Sequence, residues 1–296
     1  MILSIYHEIV KLASQKKHYI MLIGFAFLVF LMILIFRHIH EDLQKASGDM
    51  VKQMPFYLQL IAPDPVKLCD GLMFSRFTGY ILFWVVMPIF AFMFAGESIA
   101  GEQQDGTLRV YLSRGFSRTK IVIAKFIAVF AVILFYSMVF AALTMLIGIT
   151  FFGLSKMQIT LFWGNPGDPS QMGTIGLVTA KRAIFAYFAS ALYASFAISS
   201  ISSVSFMISV FVKRMSVAAT GGMVFFFVSF ILQAVFSQYA KEIEPFLITR
   251  VMEGYSQIYA IEAVDWSSIA KSVSVMCIYW AVCVTTPVVV LNIKEY

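Results

Sequence analysis

The sequence is poor in charge and in cysteine. Only 13% of its 296 residues are Asp, Glu, Lys or Arg, about half the share usual in soluble globular domains. Another 60% are apolar, and a soluble chain of this length could not cover so much apolar surface with polar groups. This composition excludes a water-soluble enzyme and an intrinsically disordered chain. The three cysteines, Cys69, Cys277 and Cys283, are too few and too scattered for a disulfide framework or a zinc site.

The motifs of nucleotide-binding and hydrolytic enzymes are also absent. A Walker A phosphate loop needs a Gly-Lys pair before Ser or Thr, and the sequence contains no Gly-Lys pair. It also lacks His-Glu-x-x-His, Gly-x-Ser-x-Gly and Gly-x-Gly-x-x-Gly, which mark zinc proteases, α/β-hydrolases and dinucleotide-binding enzymes. We therefore predict that the chain is not an enzyme and holds no cofactor of its own.

Six apolar runs are long enough to cross a bilayer. A transmembrane helix needs about 20 mostly apolar residues, and none of the six runs contains Asp, Glu, Lys, Arg or His. The runs cover residues 19–36, 77–95, 126–148, 183–212, 216–236 and 273–290. We predict an all-α, polytopic membrane protein with six transmembrane helices, in which residues 1–296 form a single membrane domain.

Positive charge is concentrated on one side of the predicted membrane. An even number of spans places both termini on one face, together with residues 97–125 and the turn 213–215. That face carries 11 Lys and Arg against 5 Asp and Glu, whereas the opposite face carries 11 of each. Since basic residues accumulate on the cytoplasmic side, both termini are predicted to be cytoplasmic. Topology thus explains the net charge of +6, and no nucleic-acid partner is expected.

Residues 1–18 are predicted to form an amphipathic helix at the membrane interface. Apolar residues recur there at helical spacing, and nearby lysines can reach lipid head groups. We interpret His7 and His18 as interfacial too. His38 and His40 lie just beyond the first run, beside a Glu-Asp pair that could complete a metal site. Such short-range groups are more often interfacial polar residues, and we expect no metal.

The fourth run carries a stripe of serines on one helical face. Its members are Ser195, Ser199, Ser202, Ser205 and Ser209. The stripe could form a polar wall of a translocation path. It could also allow close helix packing, because small side chains let backbones approach, and both interpretations stay open. The small residues Ala218 and Gly222 at the start of the fifth run favour packing of the fourth and fifth spans.

The one long inner connection is residues 97–125, predicted as a cytoplasmic loop. It reads E-S-I-A-G-E-Q-Q-D-G-T-L-R-V-Y-L-S-R-G-F-S-R-T-K-I-V-I-A-K. This stretch resembles a pattern, G-E-x-x-x-G-T-L with a later S-R pair and lysine, found in the membrane subunits of type-2 ATP-binding-cassette (ABC) exporters. The matching residues are Gly101, Glu102, Gly106, Thr107, Leu108, Leu112, Ser117, Arg118 and Lys125. Gly115 stands where the family usually has proline.

The resemblance implies a permease subunit driven by separate ATPase subunits, which would bind ATP and Mg²⁺. A second permease subunit, identical or related, would complete the translocation path, and the N-terminal helix would touch the ATPase. The coupling residues implied in this chain are Glu97, Gly101, Glu102, Asp105, Gly106, Thr107, Leu108, Arg109 and Arg118. We expect such a subunit in a cell membrane, the plasma membrane of a prokaryote.

Two other classes of protein fit the residues less well. A non-transporting membrane protein, such as a receptor, an assembly factor or an immunity factor, would use the inner loop only to set its topology. A proton- or ion-coupled carrier is disfavoured because the predicted spans are uncharged. The uncharged, Phe- and Met-rich spans suit an apolar or amphipathic cargo, but lipid-facing helices need the same composition, so the substrate stays open.

Cysteine labelling tests the predicted orientation. In a background without the three native cysteines, Ser47→Cys and Ser170→Cys should react with a membrane-impermeant maleimide in intact cells, whereas Gln103→Cys should not. The charge distribution places the first two positions outside and the third inside. Labelling of Gln103→Cys alone would invert the orientation.

Overall fold

Six helices of the computed structural model are long and apolar enough to cross a membrane. The chain is therefore a multi-pass membrane protein, as predicted. The structure describes residues 2–53, 70–108, 117–155, 157–163, 172–239, 247–259 and 266–293. Ser170, Arg109 and Leu112, which the sequence analysis singled out, lie outside these ranges. The six spans are His18–Asp42, Gly71–Gln104, Arg118–Phe152, Ala180–Ile208, Met215–Gln233 and Trp266–Ile293.

The described residues form helices and one pair of strands. In chain order they are α1 Ile2–Ala13, α2 Lys17–Gln53, α3 Gly71–Ile81, α4 Met87–Gln104, α5 Arg118–Phe152, β1 Met157–Trp163, β2 Met172–Thr179, α6 Ala180–Ile208, α7 Met215–Tyr239, α8 Ile248–Tyr259 and α9 Trp266–Ile293. The predicted runs lie within or close to these helices. The fourth run was expected to reach residue 212, but α6 ends at Ile208, where the chain turns toward the exposed Lys213 and Arg214.

A π-helical turn, Leu82–Val86, joins α3 to α4 within the second span. Pro88 lies just after this turn. Proline has no N–H and its ring crowds the carbonyl group four residues earlier. The wider π-helical turn accommodates the ring while the neighbouring backbone groups keep their hydrogen bonds. The two helices thus continue without a break, as required where lipid offers no hydrogen bonds to the backbone.

Helix α6 lies at the centre of the bundle. Of the 18 most apolar consecutive residues of this span, 67% are buried inside the chain, whereas the corresponding share is 22% in the first span and 22% in the last. Much of its buried surface is Ala and Ser, whose small side chains let neighbouring helices approach. It contacts α4, α5, α7, α8 and α9, whereas α2 and α9 leave most of their surface to lipid or to a partner.

Small residues set the closest helix contacts. A Cβ atom on Gly222 of α7 would lie 1.8 Å from Oγ of Ser205 on α6. One on Gly96 of α4 would lie 2.7 Å from the backbone nitrogen of Ala219, beside the fully buried Ala218. The predicted packing role of the small residues in the fifth span is confirmed, and their neighbours include α4 as well as α6.

The carboxylate of Asp70 fastens the outer ends of the second and third spans. Its Oδ1 accepts the backbone N–H groups two and three residues later, both at 3.1 Å, and so caps α3. Its Oδ2 accepts the backbone N–H of Ser155, beyond the end of α5, at 3.0 Å. Gly71 and Gly148 meet beside it, so closely that a Cβ on Gly71 would lie 2.3 Å from the Gly148 backbone.

Among the described residues, one short hairpin departs from the helical fold. Strands β1 and β2 pair antiparallel, with Met157 opposite Thr179. They lie between the third and fourth spans, in a connection for which the sequence analysis made no structural prediction. The hairpin leads directly into α6.

Helix α8, which lies in the chain between the fifth and sixth spans, is a second feature that the sequence analysis did not predict. Ile248, Val251, Met252 and Tyr255, three or four residues apart, are fully buried against α6. The hydroxyl of Tyr193 on α6 donates to the carbonyl oxygen of Val251 at 2.8 Å. At 12 residues, α8 is shorter than a membrane span and packs as part of the bundle instead.

Candidate functional site

The second span continues as a helix beyond the predicted apolar run, at the end of the span that is predicted to be cytoplasmic. Residues 97–104, predicted as the start of a loop, continue α4, and α5 begins at Arg118 instead of after Lys125. The 34 residues of Gly71–Gln104 make a helix of about 51 Å, against roughly 30 Å for the hydrocarbon core. The predicted loop is therefore helical over most of its described length.

Four charged side chains meet where α1, α4 and α5 come together. Nζ of Lys125 lies 2.7 Å from Oε1 of Glu102 and 3.0 Å from Oε1 of Glu8. Lys11 binds the same oxygen of Glu102. The side chains of Lys125 and Glu102 are only 1% and 4% exposed, and charges so deeply buried persist only when they are paired. We call these four residues the charge cluster.

The charge cluster attaches the N-terminal helix to the membrane domain. The predicted amphipathic helix is present as α1, and Leu12 on its apolar side is buried while Ile9 packs against the core. Glu8 and Lys11, one turn apart on α1, reach Lys125 and Glu102 respectively. Apolar packing and ion pairs therefore act together, so that α1 cannot move independently of the inner ends of α4 and α5.

Glu102 has partners within the chain, and the coupling role expected of it stays a prediction. The resemblance implied a contact with an ATPase, but the side chain is buried and bound to two lysines of the same chain. In this structure it joins the chain's own helices. Its partner Lys125 also belongs to the exporter-like motif, so this ion pair explains the presence of both residues. Gly101, one position earlier, is buried as well, and a Cβ there would lie 2.9 Å from the side chain of Glu97.

Other residues of the predicted segment also bind within the chain. Nε2 of Gln103 donates to the carbonyl oxygen of Val210 at 3.4 Å, which ties α4 to the turn between α6 and α7. Arg118 donates to the carbonyl oxygens of Leu291 and Asn292. A cation there satisfies the last carbonyl groups of α9 and complements its dipole. Arg118, like Glu102, therefore has partners within the chain, and its coupling role stays a prediction.

Of the eight predicted coupling residues that the structure describes, three are exposed. Asp105, Gly106 and Thr107 form the turn after α4, and the hydroxyl of Thr107 donates to the carbonyl oxygen of Glu102 at 3.4 Å. Gly106 has a φ of +70°, and a Cβ added there would meet nothing within 4 Å, so only its backbone conformation favours glycine. Leu108 is buried. We call residues 105–107 the exposed turn, and Asp105 is a better labelling position than the half-buried Gln103.

His18 is buried, which corrects its interpretation as an interfacial residue. Its ring stacks between those of Phe94 and Tyr136, with 5.1 Å between ring centres on each side. Its Nε2 also bonds to the carbonyl oxygen of Leu12. This ring fixes the bend between α1 and α2 against the second and third spans.

Of the two histidines just beyond the first predicted run, His38 is exposed on α2, whereas His40 is half-buried with its ring beside that of Phe152. Nε2 of His38 lies 3.4 Å from a carboxylate oxygen of Asp42, one helical turn away. Within the described residues, no group of three or more His, Cys, Asp or Glu side chains could hold a metal ion.

The serine stripe is buried inside the chain. All five hydroxyl-bearing side chains belong to residues exposed by 2% or less. Ser195, Ser202 and Ser209 donate to carbonyl oxygens three residues earlier in α6, and Ser205 lies against Gly222. This arrangement supports the packing interpretation, since no member of the stripe faces an open path in this structure.

Comparison with known proteins gives a family but no activity. A family model described as "Protein of unknown function (DUF2705)" matches residues 29–294. No curated protein matches the chain.

Substitution of Lys125 tests the charge cluster. Lys125→Met should lower the free energy of unfolding by about 3–5 kcal/mol, because it leaves Glu102 buried without its main partner. The double variant Glu102→Gln/Lys125→Met removes both charges of the pair, so it should recover most of the lost free energy of unfolding. The control Arg37→Met breaks an exposed pair with Glu41 and should cost about 0.5 kcal/mol or less. Equal losses in Lys125→Met and in the control, measured by denaturation in detergent, would contradict a buried structural role.

Proposed function

We propose that this chain, which belongs to the DUF2705 family of unknown function, is the permease subunit of an ATP-binding-cassette exporter. It would form the translocation path with a second permease subunit, identical or related. Separate ATPase subunits would bind and hydrolyse ATP. The proposal accords with a multi-pass membrane domain that lacks the motifs of a nucleotide-binding enzyme.

One observation carries the proposal: a rigid inner helix that ends in an exposed turn. Helix α4 continues past the membrane to Gln104, and the charge cluster holds this end against α1 and α5. The exposed turn follows immediately. A displacement of this turn would be transmitted through the unbroken helix to the membrane-spanning part of α4. A flexible loop would not transmit such a displacement.

Energy for uphill transport would have to come from outside the membrane core. Ion- and proton-coupled carriers place charged groups along their paths, and the six apolar runs contain none. An ATPase dimer that contacts the exposed turn differently in its open and closed states would shift the permease between two conformations. Because α1 is attached to α4 by the charge cluster, the N-terminal helix would follow the same movement.

Photo-cross-linking at the exposed turn tests the proposal directly. A photoreactive amino acid in place of Thr107 should cross-link, in the native host, to a protein that contains a Walker A motif. The same amino acid at Leu154, which is 41% exposed at the other end of α5, should not. Identification is by mass spectrometry of the cross-linked product. Recovery of only receptor or assembly proteins at Thr107 would favour the non-transporting alternative.

Substitution of two matched glycines distinguishes a loss of coupling to the ATPase from the effect of local backbone strain. Gly106 and Gly153 have φ values of +70° and +73° and open space around them, but they lie at opposite ends of the membrane domain. Valine is strained in this backbone conformation at either position. We expect Gly106→Val to reduce co-purification of the ATPase by about fivefold or more, the factor that ~1 kcal/mol represents.

Gly153→Val should leave ATPase co-purification unchanged, while both variants insert into the membrane. Quantitative pull-down from detergent extracts gives the comparison. Equal recovery with Gly106→Val and Gly153→Val would mean that the exposed turn is not the coupling contact.

A further inference from the structure

An apolar groove runs along the inner half of α7, between α6 and α9. It has a volume of 530 Å³, within the range of roughly 300–1,000 Å³ typical of ligand sites. Its lining residues are Val204, Met207, Ile208, Gly221, Val224, Phe225, Val228, Tyr279, Val282 and Cys283. None of them is charged, and all belong to membrane-spanning helices.

The groove continues to the inner border of the membrane. A second hollow of 430 Å³ shares Gly221 and Val224 with it and adds Ser216, Val217 and Thr220 at the start of α7. From Ser216 to Val228 the helix rises by about 18 Å. One leaflet of the hydrocarbon core is about half of roughly 30 Å, so the groove has the depth of a single leaflet.

Two basic residues directly precede, in the chain, the polar end of the groove. Lys213 and Arg214 lie in the turn just before Ser216 and are exposed. Neither has an ion-pair partner within the part of the chain that the structure describes. The groove is thus apolar along one leaflet, carries hydroxyl groups at the head-group level and ends beside two cations.

We propose that this groove binds one anionic phospholipid of the inner leaflet. An acyl chain lies along α7 from Thr220 to Val228, and the phosphate contacts Lys213 and Arg214. The glycine at 221 leaves room for the chain, since even a Cβ there would approach Ile208 to 3.0 Å. Charge complementarity selects an anionic over a zwitterionic lipid, because each basic residue near the surface adds to the attraction. The inference rests on the predicted orientation of the chain and does not depend on the exporter proposal.

Native mass spectrometry of the purified full chain in detergent tests the groove. The probes are phosphatidylglycerol and phosphatidylcholine with identical acyl chains. The wild-type chain should retain one phosphatidylglycerol roughly tenfold more strongly than phosphatidylcholine. Lys213→Gln/Arg214→Gln should remove the preference, and Val224→Trp, which fills the groove, should weaken retention of both lipids.

Matched controls separate the groove from the general lipid surface. Val289 is exposed by 53% on α9, outside the groove, and Val224 by 55% within it. Val289→Trp and Lys16→Gln/Lys120→Gln should therefore bind both lipids like the wild type. Thermal unfolding of all variants checks that they remain folded.

Four results would overturn the inference. The wild type could retain the two lipids equally, or Val224→Trp could bind them like the wild type. A soluble glycerophosphate could displace the lipid at equal concentration, which would show an anion contact without a role for the acyl chain. The chain could also form a dimer that excludes the lipid, which would assign the groove to a second copy.

Discussion

The buried ion pair between Lys125 and Glu102 is the contact on which the inner half of the molecule depends. Burial of either charge alone would cost several kcal/mol, so α4 and α5 enclose this position only together. Glu8 and Lys11 extend the pair to α1 and leave the cluster with no net charge. The exposed pair of Arg37 and Glu41 differs, because water can replace either partner. The inner ends of three helices therefore form one unit.

The outer half and the middle of the bundle are held by different means. At the outer ends, Asp70 satisfies backbone groups of two helices, and Gly71 packs directly on Gly148. In the middle, small side chains of α6 and α7 allow close contact without charge. Lipid competes for neither kind of interaction, since it offers no hydrogen bonds, and packing there depends on shape more than on exclusion of water. Ion pairs appear where the helices leave the hydrocarbon core.

Hydropathy predicted the six spans because a long apolar run is sufficient for a transmembrane helix. It did not predict α8, whose 12 residues bury apolar groups at helical spacing but are too short to span the membrane. Polar residues such as Glu102 and Arg118 were expected at a partner surface, since sequence alone cannot distinguish a charge paired within the chain from one that awaits a partner. The burial of His18 was missed for the same reason: its environment comes from Phe94 and Tyr136, far away in the sequence.

The residues of the exporter-like motif fall into two groups in this structure, those with partners inside the chain and those exposed in the turn after α4. Glu102, Lys125 and Arg118 have partners inside the chain, so contacts between the chain's own helices are sufficient to explain their presence. Gly106 is different: it is exposed, and its φ of +70° directly after the end of α4 is the conformation in which glycine commonly ends a helix. Its N–H donates to the carbonyl oxygen of Gln103 at 3.4 Å, so the end of α4 accounts for this conformation. The exposed turn is thus the part of the motif that is accessible from outside the chain, and the buried residues hold it in a fixed position.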